Sequence, residues 1–213
     1  TVNPNFNVSI NPNHTLTVAN NIQVGNNAVL VVENNGSIIQ NSNQSNTGNF
    51  QIKRNSAPMI RLDYTTWSSP VNNQQLLAFS PQTLTNRFYS YLYTGFNTAT
   101  AYLNVNPNSN FLPSNGYYIR VANNWPSSTP TIYNGIFNGT INNGNYTNFT
   151  GKGFNLVGNP YPSTIDADTF LAENTNVNAL YFWTHTAPAV GSVYPVNNYA
   201  SYTTLGGTAS QAG

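Results

Sequence analysis

Asparagine is the residue that most restricts the fold available to this chain, because about 40 of the 213 residues are Asn. Its side chain competes for backbone hydrogen bonds and tolerates positive φ, so it disfavours helices and favours turns. Between the asparagines, apolar residues recur in short bursts with a period of two, as in Phe6, Val8 and Ile10. That period is typical of β-strands. The sequence therefore predicts an all-β fold of short strands joined by Asn, Pro and Gly turns.

Charged residues are unusually scarce, at 5% of the chain against about 25% in an ordinary soluble domain. Six basic and five acidic residues give a net charge of +1, so no strong field attracts nucleic acid. The longest purely apolar run, residues 28–32, is far shorter than the roughly 20 residues of a membrane-spanning helix. We therefore predict no nucleic-acid partner, no membrane insertion, and an amide-coated surface that favours an extracellular location.

The chain divides into two parts at a soft boundary. Residues 1–49 carry closely spaced bursts that predict a short β-solenoid-like or meander segment. Within it, residues 29–40 read as a hairpin whose turn is Asn34-Asn35-Gly36. Residues 41–49 contain no strongly apolar residue and are the best candidate for a linker or long loop. One continuous unit is the alternative to two domains.

Residues 50–213 contain longer, more aromatic strands and predict an antiparallel β-sandwich-like or barrel-like part. Turns are predicted at Asn115, Asn134, Asn138 and Asn143. One stretch, residues 163–173, has the early acids and apolar spacing of a helix of one or two turns. The predicted strands cover residues 50–53, 59–67, 87–93, 101–105, 116–121, 153–158 and 179–184.

Two phrases stand out from the amide background: Tyr-Thr-Thr-Trp-Ser-Ser-Pro-Val at 64–71, and Gly-Asn-Pro-Tyr-Pro-Ser at 158–163. With the segments 77–81, 115–118 and 181–183, they resemble a region of large secreted surface proteins of flavobacteria and other Bacteroidota. Such proteins are similar to type IX secretion cargo, and many are adhesin-like. The resemblance covers roughly residues 29–208. It implies a cell-surface, adhesin-like piece of a longer protein, and it brings no catalytic residues.

The aromatic residues are the strongest lead to a binding site. Alternation along residues 87–93 places Tyr89, Tyr91 and Tyr93 on one strand face, and Phe88 and Leu92 on the other. If the latter two face the core, the tyrosines can stack against sugar rings while neighbouring amides bind hydroxyl groups. The alternative is that these rings pack between sheets or under loops. Second candidates for the same ligand site are Tyr117, Tyr181 and Trp183.

The acidic residues indicate a metal site more weakly than the aromatic residues indicate a ligand site. Asp166, Asp168 and Glu173 are close enough in sequence to form a carboxylate cluster for Ca²⁺, which prefers hard oxygen ligands. The favoured interpretation is a helix N-terminus that carries stabilising acids.

Catalysis is the least favoured prediction, because few ionisable groups are present. A glycosidase needs two facing carboxylates; Asp63 and Asp166 follow comparable strands, but nothing in their spacing shows that they converge. Asp63 is instead expected to form a surface ion pair with Arg61, two residues away. The two histidines, His14 and His185, are expected to be ordinary hydrogen-bonding residues.

These observations predict a non-enzymatic extracellular structural or adhesive β module of a bacterial cell-surface protein or surface filament. Its expected partners are neighbouring modules, copies of itself and glycans. The alternative is a carbohydrate-binding module that uses the tyrosine stripe. A polysaccharide hydrolase or lyase is less favoured.

Overall fold

The computed structural model describes residues 1–92, 101–148, 151, 153–191 and 193–211. Strands account for 37% and helices for 6% of the structure, so the predicted all-β class is confirmed. Over the described residues the strands form several sheets that do not close into a barrel. None of the helices in these ranges is long and apolar enough to cross a membrane.

The N-terminal part is a short solenoid of parallel strands. The strands β1 (Asn7–Ile10), β3 (Val29–Val32) and β5 (Phe50–Met59) pair in parallel, in that order. On a second face, β2 (Thr15–Val18) pairs in parallel with β4 (Ser37–Gln40). Partners in the first two coils are 22 residues apart, as in the hydrogen bond from the Val29 amide to Asn7 Oδ1. Each coil therefore stacks its apolar side chains on those of the next.

The predicted hairpin over residues 29–40 is wrong. Strands β3 and β4 pair with strands of neighbouring coils and not with each other. Asn13 and Asn35, at equivalent corners of successive coils, have φ values of 62° and 64°. Asparagine tolerates this left-handed conformation, which serves a solenoid corner as readily as a hairpin turn.

Residues 41–49 form a corner of the solenoid. The Val24 amide donates to the Thr47 carbonyl at 2.9 Å, which joins this segment to the preceding coil. The buried Asn46 side chain accepts from the Ile22 amide at 2.8 Å and donates to Gln40 Oε1 at 2.7 Å. A hydrogen-bonded amide thus occupies an interior position that an apolar side chain would otherwise fill.

The C-terminal part consists of antiparallel sheets. One sheet has the order β6 (Tyr64–Trp67), β9 (Tyr117–Arg120), β7 (Phe88–Tyr91), β8 (Tyr102–Asn104). A second comprises β11 (Leu180–Trp183), β12 (Tyr199–Thr203) and β13 (Gly206–Thr208). The long strand β10 (Thr131–Gly139) pairs antiparallel with β5, so β5 has a parallel neighbour on one side and an antiparallel neighbour on the other.

Two local predictions in this part are wrong. Asn134 and Asn138 lie within β10 and not in turns. The glycine that follows Asn134, Gly135, lets the Phe79 ring pack against the strand, since a Cβ at this position would lie 2.9 Å from that ring. Residues 153–158 form a loop with a single bridge at Val157, because the Asn155 side chain bonds back to the backbone of Gly151 and Gly153.

Two short helices complete the described elements: α1 (Leu76–Phe79) and α2 (Ala167–Glu173). The second confirms the helix expected near residues 163–173. Its N-cap is Asp166, whose carboxylate accepts from the Thr169 amide at 2.8 Å.

The hydrophobic core is continuous between the two parts. It extends from Val2 in the first coil to Ile141 after β10. At its centre the Phe79 ring stacks on Phe137 at a centroid distance of 4.3 Å and meets Trp67 edge-on at 4.9 Å. The solenoid and the β6–β9–β7–β8 sheet therefore share one buried interior.

Candidate functional site

The β6–β9–β7–β8 sheet has one face in the core and one face lined with tyrosine. Tyr117 and Ile119 of β9 belong to the core cluster, as does Phe88 of β7. Because side chains alternate along a strand, Tyr118 and Tyr89 lie on the opposite face, and these two residues are cross-strand partners. On the same face, Tyr91 of β7 pairs with Tyr102 of β8. The outer face is therefore a continuous aromatic surface.

The C-terminal sheet covers part of this surface. Trp183 of β11 makes edge-to-face contacts with Tyr118 at 5.7 Å, Tyr194 at 4.8 Å and Tyr199 at 5.0 Å. A cavity of about 540 Å³ lies between the two sheets. Trp183, Val196 and the amides Asn197 and Asn198 form part of its lining. Six tyrosines line the rest: Tyr64, Tyr89, Tyr102, Tyr118, Tyr194 and Tyr199. We call this space the aromatic cavity.

Hydrogen bonds hold the walls of the aromatic cavity together. The hydroxyl groups of Tyr118 and Tyr199 are 2.6 Å apart. The Tyr64 amide donates to the Tyr194 hydroxyl at 3.0 Å, and Trp183 Nε1 donates to the Tyr64 carbonyl at 3.1 Å. These bonds join residues that are far apart in the sequence, so the shape of the cavity depends on the docking of the C-terminal sheet.

Several cavity tyrosines have a raised pKa and are neutral across the physiological pH range. Burial, followed by the neighbouring Tyr199, raises the pKa of Tyr118 far above the usual phenol value. Burial likewise raises the pKa of Tyr102 and of Tyr194. The walls therefore offer apolar ring surfaces and neutral hydroxyl groups, which is the composition of many small-ligand sites.

The structure brings some of the predicted ligand residues together and separates others. Tyr89 and Trp183 line the aromatic cavity, and Tyr91 lies beside it, 5.2 Å from the ring of Tyr102. Tyr181 is exposed and packs against Phe154. Tyr117 is a core residue whose hydroxyl accepts from the Leu112 amide, so it does not face the cavity.

The tyrosine stripe itself agrees only in part with expectation. Phe88 faces the core as expected, whereas Leu92 is exposed. The strand ends at Tyr91, so the alternation does not continue to Leu92. Tyr93 lies outside the described residues.

Sequence reasoning missed five of the cavity tyrosines, namely Tyr64, Tyr102, Tyr118, Tyr194 and Tyr199. A usable signal existed for Tyr118. In Tyr117-Tyr118-Ile119-Arg120, the apolar Ile119 marks the core face, so alternation assigns Tyr117 to the core and Tyr118 to the outer face.

The three acids proposed as Ca²⁺ ligands have separate structural roles. Asp166 caps α2, and the hydrogen bond from the Thr169 backbone lowers its pKa. Asp168 accepts from the Tyr202 hydroxyl at 2.8 Å, which raises the pKa of Tyr202. Glu173 is exposed at the last position of the helix. Among the described residues, no three His, Asp or Glu side chains form a group that could hold a metal ion.

The predicted surface ion pair between Asp63 and Arg61 is wrong. Asp63 is 0% exposed and accepts from the Ile60 and Ala189 amides at 2.7 and 2.8 Å. Leu62 has a φ of 94°, so the chain turns at this position and directs Asp63 inward while Arg61 stays exposed. The ionisable side chain that Asp63 contacts is instead the buried His185, whose Nε2 is 3.2 Å from Oδ2.

The other histidine, His14, is exposed, and its Nδ1 lies 3.0 Å from the Pro12 carbonyl.

Parallel coils, antiparallel sheets and a tyrosine-walled cavity together define an all-β protein whose candidate site is the aromatic cavity. The chain belongs to the family DUF8693, described as a domain of unknown function, whose family model matches residues 1–212. No curated protein and no solved structure matches the chain.

Proposed function

We propose that this chain is a non-enzymatic adhesive module of an extracellular bacterial surface protein and that it binds a glycan in the aromatic cavity. The observation that carries the proposal is the cavity itself. Its volume of about 540 Å³ falls within the roughly 300–1,000 Å³ typical of small-ligand sites. Its walls combine seven aromatic side chains with two amides.

This wall composition suits a sugar. The C–H face of a pyranose ring is apolar and packs on aromatic rings, while its hydroxyl groups need hydrogen-bond partners such as phenol and amide groups. Tyr102 and Asn197 are exposed, and Tyr64 and Tyr89 are partly exposed, so a ligand can reach the site from solvent. The extracellular location rests on the charge-poor composition and on the resemblance to secreted surface proteins.

A glycan array with matched variants tests the proposal. We expect the wild-type protein to bind a defined set of glycans and Tyr89→Ala to lose most of that signal, because Tyr89 lines the cavity. Tyr181→Ala is the control, since it removes an exposed tyrosine that packs on Phe154 outside the cavity. Thermal melting of each variant confirms that it is folded. Absence of any bound glycan, or equal loss in both variants, would contradict the proposal.

A second function, self-association, is supported by the first coil of the solenoid. Over the described residues, β1 pairs only with β3 and β2 only with β4, so both present an open edge. Val8 on this edge is 42% exposed, whereas Leu30, its partner one coil later, is 1% exposed. Residues 1–32 contain no Lys, Arg, Asp or Glu, the residues that normally protect open edges. We propose that the edge pairs with the same edge of a second copy.

Sedimentation velocity tests this pairing. We expect a concentration-dependent dimer that Val8→Lys converts to a monomer, because a lysine on the edge opposes strand pairing. Leu205→Lys, in the exposed turn between β12 and β13, is the control and leaves the dimer intact. A wild-type monomer at every concentration would contradict the pairing.

A further inference from the structure

Besides tyrosines, the outer face of the β6–β9–β7–β8 sheet carries two neighbouring arginines. Arg120 of β9 is the cross-strand partner of Tyr64 on one side. On the other side its amide donates to the Arg87 carbonyl at 3.2 Å, so Arg87 is its neighbour across β7. The next row toward the aromatic cavity contains Tyr118 and Tyr89. The two arginines therefore lie at one end of the tyrosine-lined surface.

The side chain of Arg87 connects this end to the cavity. Its Nη1 donates to the hydroxyl of Tyr89 at 3.3 Å, and Tyr89 lines the cavity. The same nitrogen is 3.2 Å from the Asn86 carbonyl. Arg87 is partly exposed, so a ligand that enters the cavity from solvent can reach the guanidinium group.

No acidic side chain neutralises either arginine within the described residues. In these residues Glu33 pairs with Lys53, and Asp63 lies beside His185. Arg120 is only 6% exposed, yet its Nε is buried without a hydrogen-bond partner and its Nη2 donates to the neutral Asn123. Burial is the main cause that lowers the pKa of Arg120; the charge of Arg87 also lowers it, whereas Tyr64 raises it.

The two arginines are among only six basic residues of the chain. Their arrangement is costly, because a buried charge without a counter-charge destabilises the folded state and so do two adjacent like charges. An anion bound at the partly exposed Arg87 would offset the repulsion between the two arginines. The guanidinium group has a planar array of donors that matches the oxygens of a carboxylate or sulfate group. Asp63 interacts with Tyr194 at the cavity, but its carboxylate is buried and accepts two backbone hydrogen bonds. It therefore does not serve as the counter-charge of the two arginines.

We propose that the ligand of the aromatic cavity is an acidic sugar. Its carboxylate or sulfate group binds Arg87, beside the buried Arg120, and its ring packs on Tyr89 and the neighbouring tyrosines. This inference rests on the proposed function, since it specifies the chemical class of glycan that the cavity takes. The same group of oxygens is present in uronic acids and in sulfated sugars, so both are probes.

Isothermal titration calorimetry with trigalacturonate and its fully methyl-esterified form tests the charge requirement. The two ligands share a ring skeleton and differ in charge. We expect the acid to bind at least tenfold more tightly at low salt, and the difference to shrink as NaCl is raised toward about 1 M, where the Debye length is about 3 Å. Sulfated carrageenan oligosaccharides and their desulfated forms distinguish sulfate from carboxylate.

Charge-matched variants locate the effect. Arg87→Gln is expected to lower the affinity for the acidic sugar about tenfold and to leave the affinity for the neutral ester unchanged. Lys53→Gln removes the same charge from the solenoid sheet and is expected to change neither affinity. Thermal melting checks that both variants are folded.

The outcomes separate this inference from the proposed function. If neutral glycans bind the cavity and charge makes no difference, the acidic-sugar inference is overturned and glycan binding stands. If no acidic probe binds, the inference is overturned, and if no glycan of any kind binds, the proposed function fails as well. Equal losses in Arg87→Gln and Lys53→Gln would indicate nonspecific attraction and also overturn the inference.

Discussion

The solenoid and the tyrosine-lined face of the β6–β9–β7–β8 sheet both rely mainly on neutral side chains, but those side chains differ in type and pack differently. In the solenoid, short amide side chains accept from backbone amides of an adjacent coil, as Asn7 does from Val29 and Asn46 does from Ile22. Parallel register stacks apolar side chains from one coil onto the next, as Val8, Leu30 and Phe50 do. In the tyrosine-lined layer, large rings meet edge-on across two sheets and leave a cavity of about 540 Å³. This difference in packing supports the proposal that the solenoid is scaffold and that the aromatic cavity binds the ligand.

The largest expected effect tests whether the two regions are one folding unit. Phe50 is buried in β5 opposite Leu30, and β5 also pairs with β10. Phe50→Ala should lower the free energy of unfolding by about 3–5 kcal/mol, since it leaves a cavity in the shared core. Urea unfolding followed by far-ultraviolet circular dichroism and by tryptophan fluorescence should shift together. Separate transitions for the two probes would show that the solenoid and the aromatic layer unfold independently.

A smaller effect is expected from the amide that fills the last solenoid corner. Asn46→Ala should cost about 1–3 kcal/mol, because it leaves the buried Ile22 amide without its acceptor. Asn41→Ala is the control, since this exposed residue uses only its backbone amide, which donates to the Val18 carbonyl. Urea denaturation measures both variants. Equal stability of Asn46→Ala and Asn41→Ala would show that the buried amide is not a structural element.

Strand positions could be predicted from the sequence, because the period-two pattern depends only on neighbouring residues. The same pattern correctly assigned Phe88 to the core and Tyr89 to the opposite face. It failed for residues 29–40, because the left-handed conformation of Asn35 suits a hairpin and a solenoid corner equally well. A solenoid corner is distinguished from a hairpin turn only by the apolar pattern of the preceding coil, which the sequence repeats.

The aromatic cavity could be predicted only in part from the sequence, because its walls come from segments that are far apart along the chain. The Tyr64 amide and the Tyr194 hydroxyl are separated by 130 residues, and no local pattern indicates that they meet. Asp63 was misassigned for a related reason: the positive φ of Leu62 interrupts the alternation that the ion-pair prediction assumed.

The cavity tyrosines predict a specific loss of stability at alkaline pH. The pKa of Tyr118 is raised in the folded protein above its usual value of about 10, so the unfolded chain loses this proton first as pH rises. Stability from this group is complete below pH 10 and declines as pH increases beyond it. Tyr118→Phe should flatten this decline, and it should cost about 1 kcal/mol at pH 7 through loss of the hydroxyl contact with Tyr199. Urea unfolding between pH 7 and 11 measures both effects. An unchanged slope in Tyr118→Phe would mean that other groups control alkaline unfolding.

The smallest expected effect concerns Asp166, the exposed N-cap of α2, and it has the opposite pH dependence. Its pKa is lowered in the folded state by the hydrogen bond from the Thr169 backbone, so its contribution is present above the usual carboxyl pKa and is lost as pH falls through the lower folded value. Asp166→Ala should lower the melting temperature slightly at pH 7 and leave it unchanged at pH 2. Asp166→Asn separates capping from charge, because asparagine keeps the hydrogen-bond acceptor without titrating. Its melting temperature should therefore stay near that of the wild type at pH 7 and lack the acid-dependent component. If Asp166→Asn instead melts like Asp166→Ala, the charge near the helix N-terminus, and not the cap, holds α2 in place.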